Sequence, residues 1–460
     1  MYFKKSMTNL VAFLSFIILL SMPLQASGAA IDDVRTLVDR YYVDPVGEEV
    51  LNQPTIDEIV AQLDDYSVYF TAEEFQQFSD GLNNSYVGIG VAVQAVNEQA
   101  VITQVFPNSA ADEGGVEPND QIVSVGGEVI SDLTLEQTIA KITGPEGTTV
   151  SITFYRPETD STFTKTLTRK KISFPTVFAD KLAGNVGYMA INSFNQSTIE
   201  QMVDAKTTYR DVEHWIVDLR NNGGGYLDVA QKVVGMFPGA EITLVEETRD
   251  SRQKLASIKQ ETQFSEKIDL LVNEYSASAS EITAGALQDY NLATLYGETT
   301  YGKGVMQSLF QFPSGDYMKL TTARFYTPTN RMINNVGISP DVWTETPLAD
   351  AHLAWFEKKY ANYKELTTME DVAPDKVFHI QASTSVNAST FTDDKIELIQ
   401  LGRKNVPITI TKDRFNQISV TPKEDLVAGA EYLLLIHPGW QSTAGKASDT
   451  GIRMKVTVKQ

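Results

Sequence analysis

The chain has 460 residues, 42% of them apolar, enough for more than one globular core at ordinary domain sizes. Its 59 acidic against 38 basic residues leave a formal charge of −21, which argues against a nucleic-acid or anionic-membrane binder. The absence of cysteine excludes disulfides, thiolate zinc sites, a cysteine nucleophile and a lipid-modified N-terminal cysteine.

Lys4 and Lys5 precede an apolar run from Leu10 to Met22, which ends in the small residues Ala26-Ser27-Gly28-Ala29-Ala30. A charged start, a short apolar stretch and a small-residue exit make residues 1–30 a secretory signal peptide, cleaved or kept as an N-terminal anchor. The run falls short of the roughly 20 residues that a spanning helix needs. The protein is therefore expected outside the cytoplasm, secreted or held at the outer face of the cell membrane.

Residues 31–82 carry a helical, acidic pattern, with Ile56, Ile59, Val60 and Leu63 at three-four spacing. From 84 to 171 the texture turns to short β-runs (Val91–Val93, Val101–Thr103, Gln121–Val125, Val150–Phe154) around one helix from Leu133 to Ile142. From 172 to 350 strands and helices alternate. Val186–Ile191, Trp215–Leu219, Ile268–Val272 and Ala293–Tyr296 read as strands; Thr198–Thr207, Leu227–Met236 and Glu281–Tyr290 read as helices. That alternation predicts an α/β core with largely parallel strands. A charged linker is expected near Trp355 to Glu370. Residues 371–460 then alternate at period two, as in Ile452, Met454, Val456 and Val458, and predict an all-β sandwich.

Three segments of the α/β region could carry chemistry. In Tyr275-Ser276-Ala277-Ser278-Ala279-Ser280-Glu281 the serines follow an apolar strand and open a helix. Serines there are usually caps. The same place also suits a nucleophile, because helix N-terminal N–H groups favour the anion that acyl transfer develops. Lys303 lies between glycines in Tyr301-Gly302-Lys303-Gly304. Most lysines are surface charges. To act as a base this one must be neutral, which requires its pKa to fall from about 10.4 toward 7 or 8, roughly 4 kcal/mol of environment. The apolar neighbours Val305, Met306 and Leu309 fit that demand. In Asp218-Leu219-Arg220-Asn221-Asn222-Gly223-Gly224-Gly225 a triple glycine after a strand lets N–H groups point into a site. A phosphate loop would need a following Lys-Ser/Thr, and none is present. The four histidines, His214, His352, His379 and His437, are widely scattered and lack HExxH-like spacing. No metal or other cofactor is expected.

With these residues in view, the stretch from Leu63 to Asp341 resembles the C-terminal processing peptidases, also called carboxyl-terminal or tail-specific proteases. The motifs that carry the likeness are collinear: Leu63 to Phe70, Val87-Gly88-Ile89-Gly90-Val91, Gly144 to Thr148, Asp218 to Gly225, Ser276 to Glu281, Gly302-Lys303-Gly304 and Gly337 to Asp341. The resemblance implies a ClpP/crotonase-like α/β protease core with an inserted PDZ domain (α+β). It also implies a Ser–Lys dyad with the lysine 25 positions after the serine, which selects Ser278 for Lys303. Gln307 matches a glutamine that orients the dyad, and Ser276 and Ser280 would be supporting residues. The N–H groups of Ala279 and of Gly225 or Gly224 would form the oxyanion hole. Gly88, Ile89, Gly90 and Val91 match the loop that cradles a peptide's C-terminal carboxylate, so the expected partners are protein and peptide substrates held by their tails. Where the family has Pro-Gly-Asp this chain has Pro118-Asn119-Asp120, and asparagine tolerates the left-handed turn.

The final segment lies outside that family plan. Lys395 to Leu398 and Leu426 to Tyr432 resemble bacterial Ig-like domains of Gram-positive surface proteins, which implies cell-wall or membrane association, a substrate-positioning module or a spacer. The family likeness is compatible with homodimerisation through terminal helices. The function expected is that of an exported serine endopeptidase working through an acyl-enzyme, with a PDZ scaffold on an inactive core and a non-peptidase hydrolase as the rival readings.

Overall fold

The computed structural model describes residues 30–460 apart from 84, 97–98, 132, 383, 388–389, 391 and 413–416. The expected signal peptide or anchor, residues 1–30, lies outside the described residues as far as residue 29. Two compact units emerge. The first comprises residues up to Thr176 with Asn195–Ser197 and Gln307–Thr321; the second comprises Val177–Phe194, Thr198–Met306 and Thr322–Gln460.

The first unit begins with four helices, Ala30–Tyr41, Glu48–Leu51, Ile56–Val60 and Ala72–Leu82. Their apolar faces, among them Val34, Val38 and Ile59, close over Phe310, Phe312, Met318 and Leu320. A short strand, Val68–Phe70, interrupts the expected helical run because it pairs antiparallel with residues 317–319. The β-rich part is an antiparallel sheet in the order Val91–Val96, Gln99–Val105, Gln121–Val125, Thr149–Arg156, Ser161–Thr168. The helix Leu135–Ile142 is closed by a capping box between Thr134 and Gln137. Ile89, Ile102, Ile122, Ile152 and Phe154 form the core. Asn119 takes a φ of 74°, the left-handed turn that its side chain tolerates.

The second unit is built on a six-stranded sheet in the order Val177–Leu182, Val186–Ile191, His214–Asp218, Ile268–Val272, Ala293–Gly297, Val342–Trp343. The first pair is antiparallel and the other neighbours are parallel. Both faces are covered, so the central strands bury every residue and show no alternation. Val217, Leu270 and Leu295 face the helices Leu227–Val234 and Ala279–Asp289. Ile216, Leu271 and Tyr296 face Ala351 and Trp355 of the helix Pro347–Lys359.

That last helix occupies the start of the stretch expected to be a linker. Its Phe356 is buried with Ala183 of the core and with Ile399, Leu401, Leu433 and Leu435 of the C-terminal strands, so a shared apolar cluster joins the two parts. Beyond it, a five-stranded and a three-stranded sheet enclose Phe378, Leu398, Val420, Tyr432 and Val456. The Tyr432 hydroxyl accepts the Val427 N–H at 2.8 Å.

His352 pins the same junction. Gly402 N–H donates to Nδ1 at 2.9 Å, so the ring proton sits on Nε2 and is given to Ala183 O at 3.0 Å. Burial lowers the His352 pKa from 6.5 to about 4. An unfolded chain therefore binds a proton there at a pH where the folded chain does not. The stabilisation is complete above pH 6.5 and lost as pH falls toward 4, about 3 kcal/mol in all. Urea melts at pH 7 and pH 4 should show the wild type losing about 3 kcal/mol more than His352→Gln. Equal losses would place the acid sensitivity elsewhere.

Candidate active site

Three of the parallel strands lie side by side and each ends in one of the segments singled out in the sequence. His214–Asp218 leads into the glycine loop, Ile268–Val272 into the serine turn, and Ala293–Gly297 into the Lys303 loop. Open α/β sheets place their sites at these carboxyl ends.

The serine turn is tied to the glycine loop by its outer serines. Ser276 Oγ donates to Leu219 O and Ser280 Oγ to Asn222 O, both at 2.8 Å, while Ala277 N–H donates to Asn222 O at 3.0 Å. Asn273 and Asn221 clasp each other at 2.9 and 3.0 Å. Ser278 stands between, 5% exposed, with φ 53° and ψ −109° at the start of the helix Ala279–Asp289. A side-chain-bearing residue held there costs on the order of 1–3 kcal/mol and persists only where the surroundings enforce it. Sharp strand-to-helix turns of this kind present a nucleophile at a helix N-terminus.

In the glycine loop, Gly224 N–H is already given to Asn222 Oδ1 at 2.8 Å, which leaves Gly225 N–H as the available donor of the pair. Gly225 has φ 148°, and a Cβ there would lie 2.1 Å from Phe194 O, so only glycine fits. Ala279 N–H belongs to the first helical turn, whose N–H groups lack intrahelical acceptors.

Glu281 joins this turn to the lysine loop. It is fully buried, and its Oε1 accepts Thr300 Oγ1–H at 2.6 Å and Gly302 N–H at 2.7 Å. Its Oε2 accepts Ser278 N–H at 2.9 Å and Lys303 N–H at 2.8 Å. Two bonds to one oxygen hold the Ser278 and Lys303 nitrogens within about 6 Å of each other. Burial raises the Glu281 pKa, opposed by these four donors. Thr300 is oriented by Ile338 N–H, which donates to its hydroxyl at 2.7 Å. Lys303 itself is 1% exposed, beside buried Val305 and Met306.

Neither Glu281 nor Thr300 carries an expected role in the sequence motifs. The signal was available for the first: Ser278-x-x-Glu281 is the spacing of a capping box, in which the glutamate turns back on the N-cap N–H.

Gln307 belongs to the first unit, on the strand Val305–Gln311. Its Nε2 donates to Thr321 Oγ1 at 3.1 Å, and its Oε1 is buried without a hydrogen-bond partner among the described residues. Gly88, Ile89, Gly90 and Val91 also belong to the first unit. Ile89 O accepts Ala111 N–H at 2.9 Å and Gly90 O accepts Phe106 N–H at 3.0 Å. Both carbonyls face the domain body, so in trans peptides the N–H groups of Gly90 and Val91 point the other way. Val91 opens the edge strand of its sheet. Gly90 has φ 85°, and a Cβ would fall 2.1 Å from that of Ser109. Among the described residues no group of His, Asp or Glu side chains could hold a metal ion.

Residues 185–344 match Peptidase family S41 and residues 76–154 match the PDZ domain. The chain is 35% identical over 323 residues to a probable CtpA-like serine protease of Staphylococcus epidermidis, a match covering 69% of this chain and 65% of that protein. It is 34% identical over 331 residues to a probable CtpA-like serine protease of Staphylococcus aureus, covering 70% of this chain and 66% of the relative. The matched region thus spans slightly under two thirds of those relatives. Among solved structures, the photosystem II D1 C-terminal processing protease aligns with 72% of this chain and 96% of its own at 23% identity and a TM-score of 0.46. The chain carries a peptidase S41 domain and a PDZ domain.

Proposed function

We propose that the chain is an exported serine endopeptidase that cleaves proteins near their C-termini, with Ser278 as nucleophile and Lys303 as general base. The observation that carries this reading is the shared Glu281 oxygen, which holds a strained Ser278 and a buried Lys303 on neighbouring backbones. Neutral Lys303 takes the Ser278 hydroxyl proton as Oγ bonds to the scissile carbonyl carbon. The oxyanion is received by the N–H groups of Gly225 and Ala279. Collapse breaks the C–N bond, the departing amine takes the proton from Lys303, and water then releases the acid from the acyl-enzyme. Gln307 is assigned the orienting role that the family likeness suggests.

The PDZ domain supplies the tail preference. The outward N–H groups of Gly90 and Val91 suit a terminal carboxylate, and the edge strand beginning at Val91 suits an added peptide strand. A ClpP/crotonase-like class for the core and an Ig-like class for the C-terminal strands are part of the same reading. For the latter, the Tyr432 hydroxyl bonded to Val427 N–H is a contact of the type found at Ig-fold corners. Association with the cell wall or membrane, and dimerisation, extend the proposal to the cell surface.

The test is digestion of an unfolded protein in a metal chelator, beside a peptide supplied with a free or an amidated C-terminus. Cleavage should survive the chelator, and the amidated peptide should be cut about tenfold more slowly. Tail binding without cleavage would replace the peptidase with a binding protein.

A further inference from the structure

The opposite ends of the same strands carry a feature that peptide cleavage does not use. Where His214–Asp218 and Ile268–Val272 begin, a cavity of about 230 Å³ is lined by Trp215, Phe264, Lys206, Arg210 and Lys267, with the carboxylates Glu213 and Glu266 also on its wall. Lys206 Nζ lies 3.9 Å from the Phe264 ring centroid and 5.5 Å from that of Trp215. Among the described residues neither Lys206 nor Arg210, four positions apart, has a carboxylate within 4.0 Å. Glu213, on the cavity wall, is bonded instead to Lys359 and Asn185, each at 3.0 Å. In a chain with 59 acidic and 38 basic residues, two cations at one concavity without a close ion pair run against what the composition offers, even with Asp211 near enough to Arg210 to feel its charge.

Burial lowers the Lys206 pKa to about 8, with desolvation as its cause. An ammonium withdrawn from water in this way regains most from an anion brought to it. Lys206 also sits in the last turn of the helix Thr198–Thr208, where a cation is favoured by the helix dipole. The dipole accounts for its position and leaves the cavity and Arg210 unexplained.

We propose that this cavity is a second binding site, taking a small carboxylate with an aromatic or apolar body. The carboxylate lies against Lys206 and Arg210, and the body lies against the edges of Trp215 and Phe264. A free aromatic acid and the C-terminus of a short peptide present the same chemistry. Benzoate and N-acetylphenylalanine, each beside its neutral amide, separate those sources.

Titration of the full chain, followed by calorimetry and tryptophan fluorescence, should saturate below about 10 mM with at least one of the two acids. The corresponding amide should bind at least about tenfold more weakly. Lys206→Gln and Arg210→Gln should each weaken the acid by about fivefold or more and leave the amide unchanged. Arg210 is exposed, so its variant keeps the test valid if Lys206→Gln fails to fold. Saturation by benzoate alone assigns the site to free acids, and by N-acetylphenylalanine alone to peptide ends. No saturation, amides binding as tightly as acids, or variants binding like the wild type would each overturn the proposal. Because the readout is binding, such a result leaves the peptidase reading untouched.

Discussion

Ser278→Ala and Lys303→Arg should both abolish peptide cleavage while the chain stays folded, and the arginine variant is the more informative. Alanine removes the proposed nucleophile, and a loss of about 10³-fold or more is expected. Arginine keeps the positive charge and much of the length at a position that is 1% exposed. It cannot give up its proton at any working pH, so it cannot receive one from the Ser278 hydroxyl. A base contributes about 10² to 10⁴ in rate, and at least that much should disappear. Hydrolysis of a fluorogenic peptide, with a thermal melt of the same samples, checks both variants. Measurable turnover by folded Lys303→Arg would remove the lysine from the proton path.

Much of this arrangement could be read from the chain, and the parts that escaped share a cause. The central strands were legible because burial on both faces makes them continuous apolar runs, as in Ile268 to Val272. The strand Ser161–Thr168 is harder to read because it is an edge strand, mostly exposed, whose two apolar residues, Phe163 and Leu167, are separated by Lys165. The stretch from Trp355 onward looked like a linker because Glu357, Lys358 and Lys359 dominate its composition. Trp355 and Phe356 nevertheless face two different apolar clusters across one helix. A window average cannot register a helix that divides its buried residues between two partners.

The site shows the same limit. Ser278 and Lys303 stand out because their local motifs are unusual, a serine-rich helix start and a lysine between glycines. What brings them together is a carboxylate with an ordinary local role. At the third helical position Glu281 would normally be a solvated capping residue. Its second function, receiving Thr300, Gly302 and Lys303 from a loop some twenty positions away, exists only in three dimensions.

Glu281→Gln should therefore be nearly as damaging as loss of the proposed dyad, although it conserves size and shape. The carboxylate accepts from four donors, two at each oxygen. Glutamine keeps one acceptor oxygen and turns an amide NH2 toward the other pair. If that pair is Ser278 and Lys303, two main-chain N–H groups meet a third donor, and the lysine loop separates from the serine turn. If it is Thr300 and Gly302, the hydroxyl can rotate but Gly302 N–H cannot. Each buried donor left without an acceptor costs about 1–3 kcal/mol, so either orientation lowers the melting temperature. Displacement of the base by about 1 Å is expected to cost about 10²-fold in kcat. Because Glu281 is fully buried and its four hydrogen bonds all go to the serine turn and the lysine loop, KM for a peptide should change little. Parallel kinetics and melts on Glu281→Gln and Glu281→Ala distinguish this from general destabilisation. Alanine removes the repulsion but leaves all four donors unmet, so it should melt at least as low and be equally slow. A folded Glu281→Gln variant with wild-type kcat would show that the serine turn and the lysine loop keep their alignment without this carboxylate.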